Sequence, residues 1–289
     1  MNSKIIGIDL GGTKLNAGLV QNGKILKTCR KDLPQDKVEC DSQAIIDLVI
    51  DAVAKLFSSD LKGIGVGVPS VVDREHGVVY DVQNIPAWQE VPLKNILEKE
   101  FNVPVFIDND ANCFAIGEKF YGKGQKYQHF VGITIGTGIG GGIITAGHLA
   151  QDSNCGSGEF GEMYYLDARL EDYCSGQFFL HKYNIDGKEL DAKARAGDAH
   201  ALKIFQEFGY HLGRAIKMIM CAIDPQAIII GGSIANSREF FEGPMREEVA
   251  NFTYPRSAQR LKIEFSTVNH SPLLGAAAVC LDQLGQNFL

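Results

Sequence analysis

The stretch I-G-I-D-L-G-G-T-K (residues 6–14) decides the fold, because a close variant of it, V-G-I-T-I-G-T-G (131–138), recurs about half a chain later. Each is a short apolar run broken by a glycine turn. Residues 4–10 and 17–20 flank G-G-T-K as two strands, and residues 130–135 and 143–146 flank G-T-G-I-G-G-G (136–142) in the same way. Both read as β-hairpins whose turns call for positive φ at glycine. One strand-turn-strand unit used twice is an internal duplication, and two such hairpins facing each other would make a clamp.

Outward from the first hairpin, Ile45, Ile46, Val49, Ala52, Val53, Leu56 and Phe57 recur at helical spacing behind an Asp41 or Ser42 cap. Next come a strand over I-G-V-G-V-P (64–69), a loop around Asn84-Ile85-Pro86, a helix near 92–100, a strand over V-P-V-F-I (103–107) and a helix over 111–120. The alternation favours an α/β fold. After the second hairpin a helix is expected over 199–223, ending at Asp224-Pro225, then a strand A-I-I-I (227–230) running into Gly231-Gly232-Ser233. Ser271-Pro272 suits the start of a last helix. Two domains are expected, 1–112 completed by 271–287, and 113–270, with a cleft between them.

Composition narrows the function classes. A net charge of −7 and a pI near 5.5 leave no basic footprint for nucleic acid or an anionic membrane. The start of the sequence has no leader pattern and no run reaches the length of a membrane span, so a cytoplasmic location is expected. The seven cysteines include no C-x-C or C-x-x-C pair and read as reduced and unmetallated, with Cys221 and Cys280 expected in apolar helical surroundings.

In D-L-G-G-T-K, the turn glycines Gly11 and Gly12 let backbone N–H groups approach a polyphosphate, Thr13 adds a hydroxyl, Lys14 a cation, and Asp9 is placed to hold Mg²⁺ through water. The spacing is not that of a P-loop. The formal G-x-G-x-x-G match in 136–141 is followed by a strand instead of a helix, which removes the dinucleotide reading. A single hairpin of this kind reads as an ordinary turn; two in one chain point to phosphate binding. In I-D-N-D-A-N (107–112), Asp110 suits a general base for phosphoryl transfer at a strand end, while Asn109 or Asp110 equally suits the cap of the following helix. Glu159 and Glu162 in G-E-F-G-E-M and Glu171 in L-E-D-Y-C-S-G are acids in a glycine-rich neighbourhood. With Asn84 and Asn109 they suit a polyol, whose hydroxyls carboxylates accept in pairs.

With those residues in place, the chain resembles the repressor, open-reading-frame and kinase family of sugar kinases over nearly its whole length. The segments that carry the resemblance are D-L-G-G-T-K (9–14), G-V-G-V-P (65–69), N-D-A-N (109–112), T-I-G-T-G-I-G-G-G (134–142), G-E-F-G (158–161), L-E-D-Y-C-S-G (170–176) and I-I-I-G-G-S (228–233). The resemblance implies a two-domain, actin-like, ribonuclease H-like duplicated fold. It also implies ATP phosphates on Gly11, Gly12, Thr13, Lys14, Gly136, Thr137, Gly138, Gly140 and Gly141, adenine near Gly231 and Gly232, and Asp110 as base. By the same matching Asn84, Asn109, Glu159 and Glu171 bind sugar hydroxyls and Asp9 lies near Mg²⁺. Two positions depart from the pattern. Glu162 stands where many members have histidine, and M-Y-Y-L-D-A-R-L (163–170) lacks the cysteine-rich segment that binds structural zinc, so no zinc is expected. Ser70 stands where glycine is usual. Glucose phosphorylated at O6 is the default substrate; N-acetylmannosamine, N-acetylglucosamine, fructose and β-glucosides stay open, as do a sugar-responsive repressor and an actin-like ATPase without a sugar. A homodimer is the default oligomer.

Overall fold

Ile5, Ile6, Gly7 and Ile8 are all buried, so the first strand has no solvent face, the mark of a strand covered on both sides. The computed structural model describes residues 3–34, 41–82, 85–269 and 271–286. It groups them into one unit of Met1–Lys126, Gly147–Ser157 and Thr267–Leu289, and another of Tyr127–Ala146 and Gly158–Ser266.

In the first unit β1 (Lys4–Leu10), β2 (Lys14–Gln21) and β3 (Lys24–Asp32) form an antiparallel meander, and β4 (Leu61–Val68) and β8 (Val105–Asn109) continue it in parallel, in the order β3-β2-β1-β4-β8. A small sheet of β5 (Val71–Asp73), β6 (Val78–Tyr80) and β7 (Glu90–Val91) lies between β4 and β8 in sequence. The parallel strands need crossovers, supplied by α1 (Ser42–Ala54) and α2 (Leu93–Phe101). Asp41 caps α1, accepting from the Gln43 N–H at 3.1 Å. Phe57 falls beyond the end of α1; it is exposed and stacks on Phe101 with centroids 5.6 Å apart.

The C-terminal helix (Ser271–Gln286) lies directly on this sheet. A Cβ at Gly65 would stand 1.8 Å from the Ala276 carbonyl oxygen, so only glycine fits there. That helix also packs against α3 (Asp110–Tyr121), which explains why the first unit runs on to Lys126 where the sequence suggests a boundary at 112. Residues 147–157 return to it as well: His148 Nδ1 lies 2.6 Å from Oδ1 of Asp282, a carboxylate buried in the C-terminal helix.

The second unit repeats the plan. β9 (Phe130–Ile135) pairs antiparallel with β10 (Ile139–Thr145) and parallel with the strand Ala227–Gly231, which pairs parallel with Lys262–Phe265. Even the register repeats: Gly7 faces Gly18 across the first hairpin, and Gly132 faces Gly142 across the second. On this sheet packs α7 (Ala199–Ile223), buried through Ile204, Phe205, Phe208, Leu212, Ile216 and Ile219. Asp198 caps it at the Ala201 N–H, 2.8 Å away, and Asp224, with φ +49°, stops it before Pro225. Cys280 is buried as expected, whereas Cys221 lies on the exposed side of α7; an apolar sequence around a helical residue does not fix which face that residue takes. Cys40 lies outside the described residues.

Candidate active site

In the first hairpin the Gly11 N–H donates to the Lys14 carbonyl at 2.9 Å, closing a tight turn over Gly12 and Thr13. None of Gly11, Gly12, Gly136 or Gly138 has a positive φ, so the expectation of left-handed turn glycines fails. What the second turn requires is room. A Cβ on Gly138 would stand 2.4 Å from Glu171 Oε2, the atom that accepts the Ile139 N–H at 3.2 Å. The second turn is also shorter than the sequence suggests. Gly140 and Gly141 are ladder residues of β10 opposite Thr134 and Ile133, because pairing begins at Ile139.

Asp9, near the carboxyl end of β1, pairs across the hairpin with Asn16, whose Nδ2 donates to Asp9 Oδ2 at 3.3 Å. Burial raises the Asp9 pKa and the Asn16 amide partly offsets it. At the carboxyl end of β8, two strands away, the chain turns into α3. Here Asn109 is the cap: its Oδ1 accepts the Ala111 N–H at 2.8 Å and its Nδ2 donates to the Ser70 carbonyl at 3.2 Å. Asp110 is the first helical residue, exposed. The cap and the candidate base therefore fall on neighbouring side chains, and a carboxylate in the first turn is favoured by the helix dipole. Ser70 is tied down in turn, its hydroxyl donating to the Tyr80 carbonyl.

Three carboxylates of the first unit, Asp9, Asp108 and Asp110, gather around one point at the edge of its sheet. The buried Cys113 thiol, one turn into α3, is pushed well above its usual pKa first by burial and then by the negative charges of Asp108, Asp110 and Asp9. Carboxyl ends of parallel strands are where open α/β sheets bind ligands. Sequence reading overlooked Asp108. It is only 2% exposed, and its Oδ1 accepts its neighbour Asn109's N–H and the Asn112 side-chain amide, each at 2.8 Å.

In the second unit Glu159 precedes a short helical turn (Phe160–Glu162) and is exposed. Glu162 forms a forked contact with Arg169 Nη1, 2.9 and 3.2 Å from its two oxygens. Residues 164–169 form a hairpin, Tyr164–Tyr165 against Ala168–Arg169, anchored by Tyr165, whose hydroxyl lies 3.0 Å from His211 Nδ1. Among the described residues no group of three or more His, Cys, Asp or Glu side chains is placed to hold a metal ion. Asn84 lies outside the described residues.

Gly231 ends its strand, and Gly232, with φ +90°, sits where a Cβ would be 2.2 Å from the Ile135 carbonyl oxygen. The G-G-S run thus touches the start of the second turn. Beside them opens a cavity of about 540 Å³, walled by Gly136, Thr137, Gln177, Phe179, Lys188, Asp191, Ser233 and Asn236 among others, of the size that small-molecule sites have. Ser175 caps α5 (Gly176–Tyr183) at the Gln177 N–H, 3.1 Å away, and the Gly176 N–H donates to the Gly136 carbonyl at 2.7 Å. The helix start and the turn are thereby locked together at the cavity mouth. Asp191 is held below the usual carboxylate range by Arg195 and, less strongly, Ser237. Of these wall residues the sequence pointed as site residues only to Gly136 and Thr137. The S-G-Q run at 175–177 was the available signal for the helix start.

Two α/β units, each grown from a hairpin flanked by parallel strands, define the class: an actin-like ATPase fold. The chain belongs to the ROK family, whose model matches residues 5–283. It is 32% identical to a glucokinase of Thermotoga maritima, covering 98% of both chains. A xylose repressor of Bacillus subtilis is 29% identical over 96% of this chain and 77% of its own length. Among solved structures it resembles a ROK family glucokinase from Streptomyces griseus in complex with glucose and AMPPNP, with TM-score 0.79 and 28% identity, covering 98% of this chain and 100% of that one. Among the described residues no helix is long and apolar enough to cross a membrane.

Proposed function

We propose that this chain is an ATP-dependent hexose kinase with glucose as its preferred acceptor and Asp110 as general base. The observation that carries the reading is the β8–α3 junction, where Asn109 does the capping and Asp110 stands beside it at the ligand-binding edge of the sheet. Family membership and the Thermotoga maritima and Streptomyces griseus glucokinases support the reaction class.

In this mechanism the Asp110 carboxylate accepts the proton of the sugar 6-hydroxyl as its oxygen bonds to the γ-phosphorus. The bond from that phosphorus to the β-phosphate oxygen breaks, and ADP leaves. The sugar is oriented by Asn109, whose amide keeps a second N–H after serving Ser70, and by Asn84, Glu159 and Glu171. Glu171 uses Oε2 on the Ile139 N–H and offers Oε1. Glu162 takes part only by sharing its carboxylate with Arg169. The turns at Gly11–Lys14 and Gly136–Gly138 are closed by the Gly11 and Gly136 N–H groups and present remaining N–H groups to the phosphates, with Gly140 and Gly141 backing the second turn as strand residues. The nucleoside occupies the cavity beside Gly231-Gly232. Asp9 fits Mg²⁺, which takes one or two carboxylates plus phosphates and water instead of a full protein cage. When bound, the ion neutralises phosphate charge.

A coupled ADP-release assay over glucose, N-acetylmannosamine, N-acetylglucosamine, fructose and a β-glucoside tests the reading. Sugar-dependent ADP formation with kcat/KM highest for glucose is expected. ADP release indifferent to every sugar contradicts it.

A further inference from the structure

Arg74, in the turn after β5, is the partner of the buried carboxylate that precedes the base. Its Nη1 lies 3.4 Å from Asp108 Oδ2, its Nη2 donates to the Ala150 carbonyl at 2.7 Å, and Asp152 stands 3.9 Å away. We propose that Arg74 is a positioning residue for the phosphoryl-transfer step: it keeps Asp108 ionised, and the ionised Asp108 fixes the junction that presents Asn109 and Asp110. The proposal rests on Asp110 being the base.

A carboxylate as buried as Asp108 is costly to ionise without a partner. Burial pushes its pKa up, and the Arg74 charge is the strongest influence holding it down, ahead of Asn112 and the Asn109 N–H. Among the described residues the other groups around it bring no cation. Cys113 on α3 is thiol, and Asp9 on β1 and Asp110 add negative charge to that thiol's surroundings. Asp152 shares Arg74, and Asp282 on the C-terminal helix feels the Arg74 charge while His148 serves Asp282. Among the described residues no other lysine or arginine is paired with Asp108, so its ionisation depends on Arg74.

What ionisation provides is acceptor strength. Asp108 Oδ1 holds two donors, the Asn109 N–H and Asn112 Nδ2, and a charged acceptor makes hydrogen bonds roughly twice as strong as a neutral one. One bond fixes the backbone of the capping residue, and the other fixes the second residue after Asp110. Both slacken when Asp108 is neutral, and misplacement of a catalytic group by a fraction of an ångström lowers turnover steeply.

The test follows kcat, KM and thermal stability of the full chain across pH for Arg74→Met, Arg74→Lys, Asp108→Asn and the double variant Arg74→Met/Asp108→Asn. Arg74→Met should lower kcat about tenfold at neutral pH with KM for ATP within about twofold. Its deficit in kcat should deepen as pH falls, because Asp108 then protonates sooner. Its deficit in stability should shrink over the same range. A carboxylate whose folded pKa is raised costs stability above that pKa, and the cost disappears as pH falls through it. Arg74→Lys retains the charge and should stay within about threefold of the parent. In the Asp108→Asn background Arg74→Met should produce neither trend. A kcat deficit that is flat with pH, or that follows the stability deficit, overturns the proposal. So does persistence of the trends without the Asp108 carboxylate. The stability trend judges the ion pair whatever Asp110 does, so failure of the base assignment, seen as an active Asp110→Asn, is read separately.

Discussion

Alanine at position 138 probes the second turn at its tightest point. The added methyl would stand 2.4 Å from Glu171 Oε2 and 3.3 Å from its Cδ, about 1 Å inside ordinary contact. The neighbour is a side chain, so it retreats, and retreat breaks its 3.2 Å bond with the Ile139 N–H. A hydrogen bond to a charged group contributes about 1.5–3 kcal/mol; one this long on a half-buried side chain falls near the lower end. Gly138→Ala should therefore cost the second unit about 1–2 kcal/mol in urea unfolding. It should raise KM for ATP several-fold to about tenfold, since 1.4 kcal/mol is a factor of ten. The decisive comparison is the same substitution in a Glu171→Ala background. There the methyl meets no carboxylate and should cost under about 0.5 kcal/mol, a coupling of about 0.5–2 kcal/mol. Equal costs in the two backgrounds refute the claim that Glu171 sets this turn.

Two further outcomes follow from packing and titration. Gly65→Ala places a Cβ 1.8 Å from the Ala276 carbonyl oxygen; because backbone must move, about 3 kcal/mol of stability should be lost, and a loss under 1 kcal/mol by denaturant titration would contradict the close seating of the C-terminal helix. His211 is held below its usual pKa, chiefly by burial. The unfolded chain takes up its proton as pH falls below about 6.5 while the folded chain resists, so stability should decline with pH in that window. His211→Asn should remove that slope and, having lost the Tyr165 partner, lower stability by about 1 kcal/mol above about pH 6.5, a deficit that narrows as pH falls.

The duplication was legible because it is written in local pattern: apolar runs of strand length around glycine turns, twice. The helix over 199–223 was equally plain, with a cap, one apolar face and Asp224-Pro225 to stop it. What escaped is what pairing decides. β3, K-I-L-K-T-C-R-K-D, is an edge strand whose Lys24, Lys27 and Arg30 face solvent, the composition that protects an edge and that hides strand periodicity. Gly140 and Gly141 read as turn because glycine marks turns, yet the ladder takes them into β10. At the site, the residue types pointed to Asp110 and left its role open against capping; only the backbone geometry shows that Asn109 is the cap. Asp108 and Arg74 lie 34 positions apart, and a pairing at that range leaves no mark in sequence spacing.

The central claim is that Asp110 removes the proton from the attacking hydroxyl. Replacement by asparagine preserves size and removes the base, so Asp110→Asn should lower kcat about 10²- to 10⁴-fold, with the dissociation constant for ATP, measured by calorimetry, within about twofold of the parent. Turnover unchanged in that variant would contradict the account.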